Sequence, residues 1–569
     1  MGYLFEHSIF YPFYVWSKGG VLADYGHPFI PSMLMDAGIF LLLAGIPYIL
    51  ILLAAKPKRI HKALAFAARL IEKKGMLCLI LLFALSLLLR LVYLNDSLFH
   101  HDAVQLAYAV QNSVADGTLH GTVGGKQGFV LINVLLSLPL HYLFRIPLDA
   151  TLNAISALFG AGAVITGYWF AREFLGDKKQ AILAALLFSI APVFFSISTY
   201  AQSHSMAVFF ALLSGYFLLR GIKEEKRWQM AAFGITFGFS CFVRVTNLIY
   251  LIPFGFLYFF SDRIMEKHGT WKDKFSAKAL IWFCLPLGAM LLLLAAVQWG
   301  IIFSQLGSNP SASGELVSDR LWYSFNYLLK SLTVPGLLIA LGMLAMGILK
   351  GDRFRMMFYM LWIAPFFLYL GSTLYTAPRL MAPIIFPLMM LVAQGTTKIS
   401  RRPLHAGMPL FIVILLIMIL TIYPIVSFRE HYSGPKVLAE FIRKNTESTA
   451  VILANDDGVL ISYYGNRSTM GYPLYGGVSE VRQAIADLVF LLENNIPVYV
   501  NTKMMSYAGN DMLGRTLSDS FELEEKGYVY AEDYHQASMR LNLQKDVLYR
   551  IRLPQGFNKT QIKAVVYRG

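Results

Sequence analysis

Gly128-Phe-Val-Leu-Ile-Asn-Val-Leu-Leu-Ser-Leu-Pro-Leu-His-Tyr-Leu-Phe144 is apolar enough to enter a bilayer and short enough to stop inside one. Seventeen residues sit at the lower limit for a helix that crosses a hydrocarbon core about 30 Å thick, and Pro139 and His141 interrupt this one. Everything that follows it changes side according to whether it crosses.

The flanking chain offers spans centred on 36–55, 76–94, 150–171, 180–199, 204–220, 279–303, 327–349, 356–375, 379–395 and 407–427, and residues 228–261 form one apolar block broken by Arg244. Six loops between them are rich in Lys and Arg: seven in 56–74, three in 172–179, four in 220–227, five in 262–278, three in 350–355 and three in 398–405. Such loops stay on the cytoplasmic side. All six share that side only if 128–144 does not cross and 228–261 is a hairpin turning near Arg244. If 128–144 crossed, the last five loops, with 18 of those 25 basic residues, would lie outside. A re-entrant or interfacial helix over 128–144 is therefore expected, with about twelve transmembrane helices and both termini outside.

Composition agrees. The 569 residues are 56% hydrophobic and only 15% charged, with a mean hydropathy of +0.55, where soluble domains carry roughly a quarter charged residues. The net charge of +15 and pI near 9.4 would otherwise point to nucleic acid. Instead the six loops hold 25 basic and 9 acidic residues, which accounts for the surplus and excludes that partner. Cys78, Cys241 and Cys284 all fall in apolar stretches, too separated for a disulfide framework or a metal site, and are read as packing residues. No cleaved signal peptide is expected from an N-terminus without a charged region ahead of a short apolar one.

This orientation places residues 95–149, the turn near 200–203, the loop 304–321, the turn Tyr375 to Arg379 and the tail on the outer face. The tail is polar, with strand-like runs at Ala450–Ala454 and Pro497–Asn501 and a helical stretch at Pro435–Asn445. It reads as a small extracytoplasmic α/β domain. Three parts result: 1–75, an extra span and basic loop; 76–428, the transmembrane domain; and 429–569, the outer domain.

A transporter is expected to keep ionisable groups at mid-membrane. Here they are few, chiefly Arg90 and Lys330, and polar residues gather outside. The first outer loop reads Leu94-Asn-Asp-Ser-Leu-Phe-His-His-Asp-Ala-Val-Gln-Leu-Ala-Tyr-Ala-Val110, then Asp116-Gly-Thr-Leu-His-Gly121 and Gly124-Gly-Lys-Gln-Gly128. Leu106, Ala109 and Val110 can share one helical face, which puts Asp102 at the N-terminus of a short helix, where an N-cap role is its plain structural reading.

The order of a span, an outer loop with an Asp opening an amphipathic helix, a Gly-Lys motif, a basic turn (Ala171-Arg-Glu-Phe-Leu-Gly-Asp-Lys-Lys179) and Ala191-Pro-Val-Phe-Phe-Ser-Ile-Ser-Thr-Tyr-Ala-Gln-Ser-His-Ser-Met206 resembles the GT-C membrane glycosyltransferases. The similarity is to the protein O-mannosyltransferase and aminoarabinose-transferase branch, which uses polyprenyl-phosphate sugars. Tyr375-Thr-Ala-Pro-Arg-Leu-Met-Ala-Pro383 resembles that branch's Arg-Tyr-Leu-x-Pro segment. Gly434-Pro-Lys-Val-Leu-Ala-Glu-Phe-Ile-Arg-Lys-Asn-Thr446 and Ser462-Tyr-Tyr-Gly-Asn-Arg467 resemble its outer domain. The resemblance covers about residues 76–475.

It implies Asp102 as the general base, with Ala103 in place of the Glu that often follows. Lys126 matches a Lys-Pro-Pro-like motif whose prolines are Gln127 and Gly128 here, and Arg379 matches the arginine of the late motif; both would hold the donor phosphate. Their plainer readings are an interfacial lysine and a snorkelling arginine. His204 stands where many relatives carry an acid, and with His101 and Tyr200 would position substrate. His100, His101 and His204 suit a Zn or Mn ion, although each singly is more simply a satisfied or surface histidine. Arg244 would face the lipid phosphate or serve as a helix-end cation. Glu315 and Asp319 fall in a Ser/Gly/Asn-rich loop suited to a lid or to a solvated connector. Asn95, Asn466 and Asn558 begin N-x-Ser/Thr sequons.

The expectation is an inverting glycosyltransferase of the plasma membrane. It would take a polyprenyl-phosphate sugar to a lipid, glycan or protein acceptor on the outer face, with no cofactor or with a divalent cation. The rivals are a lipid or polysaccharide transporter and a non-catalytic binding protein of the same fold.

Overall fold

The computed structural model describes residues 75–95, 97–121, 126–265, parts of 281–296, 317–350, 352–372, 378–400, 407–431, 434–454, 457–471, 478–505, 511–532 and 543–556. The expected span at 36–55, most of 279–303, Glu315, Tyr375 and Asn558 lie outside them. Two compact units result: Met1–Asn95 with Leu106–His431 and Ser538–Arg540, and Asp96–Gln105 with Tyr432–Ala537 and Leu541–Gly569.

The first unit is helical. In chain order its helices begin with α1 (Gly75–Val92); α2 (His101–Asp116), which enters from the second unit; α3 (Gln127–Ser137); α4 (Leu148–Leu175); α5 (Lys178–Ile190); and α6 (Pro192–Ile197). Then come α7 (Ser203–Glu224), α8 (Arg227–Val243), α9 (Leu251–Met265), α10 (Val317–Leu332), α11 (Val334–Leu349), α12 (Arg353–Ser372), α13 (Ala382–Ser400) and α14 (Gly407–His431). Among the described residues, Gly75–Val92, Leu148–Leu175, Ser203–Glu224 and Arg379–Ile399 are long and apolar enough to cross a membrane. The last is central, with 89% of its window buried, whereas Gly75–Val92 is peripheral at 22% and leaves Ile80, Leu81, Leu85 and Leu88 exposed.

The 128–144 stretch is α3 followed by a π-helical turn, Leu138–Leu143, so it is a short apolar helix with a local irregularity at Pro139. Arg244 is extended between α8 and a 3-10 turn, Val245–Tyr250, that leads into α9, which makes 228–261 the expected hairpin.

Two expected spans are broken instead. The 180–199 stretch divides at Ala191 because Pro192 has no N–H to continue α5 and its ring disfavours a helical residue before it. The 327–349 stretch divides at Thr333, whose φ of 68° is unusual for a β-branched residue; Pro335 follows, and the Thr333 hydroxyl accepts from Gly336 N. Asp319 also departs from expectation. It lies within α10 rather than in a loop, because Leu321, Phe325, Leu328 and Leu332 follow helical spacing and the last two are buried.

The break after α5 settles the arginine buried in α1. Helix ends leave carbonyls without intrahelical partners, and Arg90 Nη2 donates to one of them, Ser189 O, at 3.0 Å. Its Nε donates to Ser198 Oγ at 2.8 Å, Nη1 donates to Ser86 Oγ and O, and the guanidinium lies over the Phe195 ring. Gly160 makes the room: a Cβ there would stand 2.5 Å from Ser198 Cβ and 2.8 Å from Arg90 Nε.

The second unit contains a five-stranded sheet in the order β2-β1-β3-β5-β4. Its elements are α15 (Gly434–Asn445), β1 (Val451–Ala454), α16 (Gly458–Gly465), β2 (Ser468–Gly471), α17 (Val478–Glu493), β3 (Val498–Asn501), α18 (Thr502–Met505), α19 (Asp511–Ser520), β4 (Glu522–Glu532) and β5 (Leu543–Arg552). β1 runs parallel to β2 and β3, and β5 pairs antiparallel with β3 and β4. Alternation sorts its two faces. Val498 and Val500 pack with Ile485 and Leu488 of α17 and with Leu517 of α19, while Tyr499 and Ile452 face Leu438 and Ile442 of α15. The sheet is covered by helices on both sides.

Candidate active site

In the second unit, α2 opens with three adjacent titratable side chains. His100 is its N-cap: its carbonyl accepts from Ala103 N at 2.8 Å and its Nδ1 accepts the Asp102 N–H at 3.1 Å. The N-cap position expected of Asp102 thus belongs to a histidine, and Asp102 is the second residue of the helix. His101 Nε2 lies 3.1 Å from Asp102 Oδ1, a hydrogen bond, whereas His100 Nδ1 is 3.9 Å from Oδ2, too far for one. Asp102 keeps about a fifth of its side chain exposed, while His100 is buried. Potential ligand atoms of His100, His101 and Asp102 lie within 4.8 Å of one another. Among the described residues the third member of this cluster is Asp102, where the sequence placed His204.

The backbone around this group is anchored within its own unit. The Leu98 N–H donates to Tyr464 Oη at 2.7 Å across 366 residues of sequence. Asn95 is 2% exposed, so its sequon is not available to a glycan in the folded chain; Asn466 is exposed, at the left-handed end of α16.

In the first unit, Lys126 stands at the N-terminus of α3, where the helix dipole favours anions. At Gly128 a proline like that of the related motif would not fit. A Cβ at 128 would come within 2.9 Å of Phe242 C and Val243 N, so a bare Cα lets α3 abut the end of α8. That contact brings Lys126 to the same corner as Arg244. Arg244 is fixed there by Nε to Thr246 Oγ1 at 3.1 Å and Nη1 to Ser203 Oγ at 3.4 Å. Ser203 opens α7, so His204, buried in its first turn, belongs to this corner too.

Tyr200 and the turn that carries it are pinned by residues that sequence reasoning did not single out. Asn153 Nδ2 donates to Asn95 O, and its Oδ1 accepts from Ala201 N at 2.8 Å. Ser156 Oγ meets Ser205 Oγ at 3.0 Å. Asn153, Ser156 and Gly160 are spaced three and four apart in an otherwise apolar span, the one sequence signal of that role. Around this node the buried side-chain amides of Asn95 and Gln202 have no protein partner among the described residues. Arg379, also buried, lies in the 3-10 turn Pro378–Met381, which packs on α6 and α10.

The profile of a family described as dolichyl-phosphate-mannose-protein mannosyltransferase matches residues 149–311, from α4 past the Arg244 hairpin. A crystal structure of ArnT from Cupriavidus metallidurans bound to undecaprenyl phosphate is similar over 84% of this chain and 98% of that one, with 12% identity and a TM-score of 0.54. The chain has the GT-C fold. The oligosaccharyltransferase AglB of Archaeoglobus fulgidus, in complex with an inhibitory peptide and a dolichol-phosphate, shares this fold at a TM-score of 0.53 and 14% identity, over 84% of this chain and 74% of its own. A structure of that enzyme tethered to an acceptor peptide gives 0.52 and 13%, over the same shares. No curated protein sequence matches the chain. With its apolar helices, the GT-C fold makes this a multi-pass membrane protein.

Proposed function

We propose that the chain transfers a sugar from a polyprenyl-phosphate donor to an acceptor hydroxyl on the extracytoplasmic face of the plasma membrane. The observation that carries this reading is the corner built by Gly128. It brings Lys126, at a helix N-terminus, together with Arg244, held by Ser203 and Thr246. Two cations beside a helix N-terminus are suited to a phosphate that gains charge as it leaves. Arg379 is assigned to the same phosphate through its place in the late motif. The partners that the structural relatives are recorded with, undecaprenyl phosphate and dolichol-phosphate, support a lipid donor.

Asp102 is the base. Its carboxylate takes the proton of the acceptor hydroxyl as that oxygen attacks the anomeric carbon from the side opposite the phosphate. The carbon–oxygen bond to the phosphate breaks, its electron pair leaves with polyprenyl phosphate, and the anomeric configuration inverts. His101 holds the carboxylate by its 3.1 Å contact, and His204, Tyr200 and the amides of Asn95 and Gln202 supply contacts for sugar hydroxyls. His100, His101 and Asp102 also form a ligand set that suits a divalent cation, which would add charge stabilisation beside the same carboxylate.

The test is incubation of the purified protein with a labelled polyprenyl-phosphate sugar and candidate acceptors. Release of free polyprenyl phosphate, matched by labelled acceptor, is expected. Donor that crosses a vesicle membrane with its sugar still attached would replace this reading with transport.

A further inference from the structure

Asp102 falls with residues 96–105 in the second unit, and within that unit the Tyr464 hydroxyl accepts a backbone N–H of this segment. We propose that Tyr464 is a positioning residue: through its hydrogen bond to the Leu98 backbone it holds the Asp102 carboxylate in working register, so the α/β unit is part of the catalytic machinery. This inference rests on the glycosyltransferase reading for its kinetic consequence and on geometry alone for the anchor.

The chain of contacts is short and stiff. Arg467 donates to Arg443 O, Thr446 O and Thr446 Oγ1 at the end of α15, and also to Gly465 O at the end of α16. One guanidinium therefore closes both helix ends and fixes the last turn of α16. Gly465 reinforces this by close approach, since a Cβ there would lie 3.0 Å from Ala439 O on α15. Tyr464 sits in that fixed turn, with its ring edge-on to Tyr463 at 4.9 Å. Its hydroxyl accepts the Leu98 N–H at 2.7 Å, and Leu98 and Phe99 are both buried. His100 follows at once, and its carbonyl and Nδ1 begin α2. Three residues separate the anchored amide from Asp102: Phe99 and His100 are buried, and His101 contacts the Asp102 carboxylate. A carboxylate placed this way depends on a residue of the α/β unit that touches no reacting atom.

Tyr464→Phe removes the hydroxyl that accepts the Leu98 N–H and keeps the ring. In the full-length protein, kcat should fall on the order of 10- to 100-fold, the penalty for a base displaced by about 1 Å. The donor KM should stay within about twofold, because the Lys126 and Arg244 corner is untouched. Amide exchange should accelerate at Leu98 and through residue 102, with the protection of β1 and β3 unchanged. An unaltered kcat would overturn the proposal, and so would a parallel loss of kcat, donor binding and protection throughout the sheet, which marks a merely structural role. If the unmodified protein transfers no sugar, the glycosyltransferase reading fails by itself. The exchange measurement then decides the anchor alone, and Leu98 protection retained in Tyr464→Phe overturns it.

Discussion

Gly128 lies so close to Val243 that a Cβ on it would stand 2.9 Å from the Val243 nitrogen. Beside the Phe242 ring, the opposing atoms are the backbone Phe242 C and Val243 N, which cannot rotate away, so Gly128→Ala must push α3 off the end of α8. Overpacking of this kind costs about 1–3 kcal/mol. The expected result is a donor KM raised about tenfold, equivalent to about 1.4 kcal/mol, as Lys126 and Arg244 separate, with kcat at saturating donor less affected. Steady-state kinetics over a donor series measure both, and an unchanged KM would show that the cation corner does not contact the donor.

Asp102→Asn keeps the shape of the first turn of α2 and removes the charge. Turnover should fall on the order of 10²- to 10⁴-fold, the usual contribution of a general base. Binding of the lipid-phosphate donor, followed by equilibrium titration with a labelled lipid, should be retained. Full turnover in this variant would take the base away from Asp102 and leave the residue as part of a helix terminus.

Gly160→Ala should destabilise the bundle by about 1–3 kcal/mol. Its new methyl would meet Ser198 Cβ and Arg90 Nε and force apart a buried guanidinium and its acceptors. Thermal unfolding in detergent reads this as a lowered midpoint. Gly162→Ala is the control, because its nearest neighbours are atoms at 3.0 Å on the movable Phe209 ring.

The α/β unit should show an acid-labile contact. The Tyr499 hydroxyl donates to Glu447 Oε2 at 2.6 Å and Arg550 lies 3.3 Å from Oε1. The hydrogen bond from Tyr499, aided by Arg550, holds the Glu447 carboxyl below its ordinary range, while burial and Glu447 itself push Tyr499 up to about 12. A carboxyl depressed in the folded state adds stability above its unfolded pKa, and that stability is lost as pH falls through the folded value. Glu447→Gln should therefore be less stable than the parent at neutral pH, and the difference should shrink as pH drops below the normal glutamate range. A constant difference in unfolding midpoint from pH 7 to pH 3 would remove the assignment.

Much of the bundle was legible because hydrophobic length and loop charge are summed over many residues. The hairpin at Arg244 and the short helix after Lys126 both followed from that sum. The breaks at Ala191 and Thr333 were not separated from the spans around them, because mean hydropathy is blind to a proline or a capping threonine inside an apolar run. Asp102 and Lys126 were singled out by motif, and the structure puts each at the helix start expected of it. The capping by His100 was missed because an imidazole nitrogen does there what the oxygen of Asp or Ser usually does. Tyr464 was missed for a different reason: its partner is a backbone N–H 366 residues away, and nothing in the local pattern of either segment encodes the meeting. The β4–β5 hairpin was also overlooked, since its alternation is diluted by charged residues such as Glu524, Glu525 and Arg550.

The arginine buried in α1 also bears on how the protein is made. Ser189 and Ser198 leave the ribosome 99 and 108 residues after Arg90, which at ordinary rates of synthesis is a delay of roughly 5–20 s. During that interval only Ser86, from the same helix, can serve the guanidinium. A lone arginine is costly in lipid, so α1 is expected to remain beside the insertion machinery until the proline-broken segment emerges and supplies the missing acceptors. The first described helix would then be among the last to settle, and a stalled chain ending before Ser198 should still be extractable at alkaline pH.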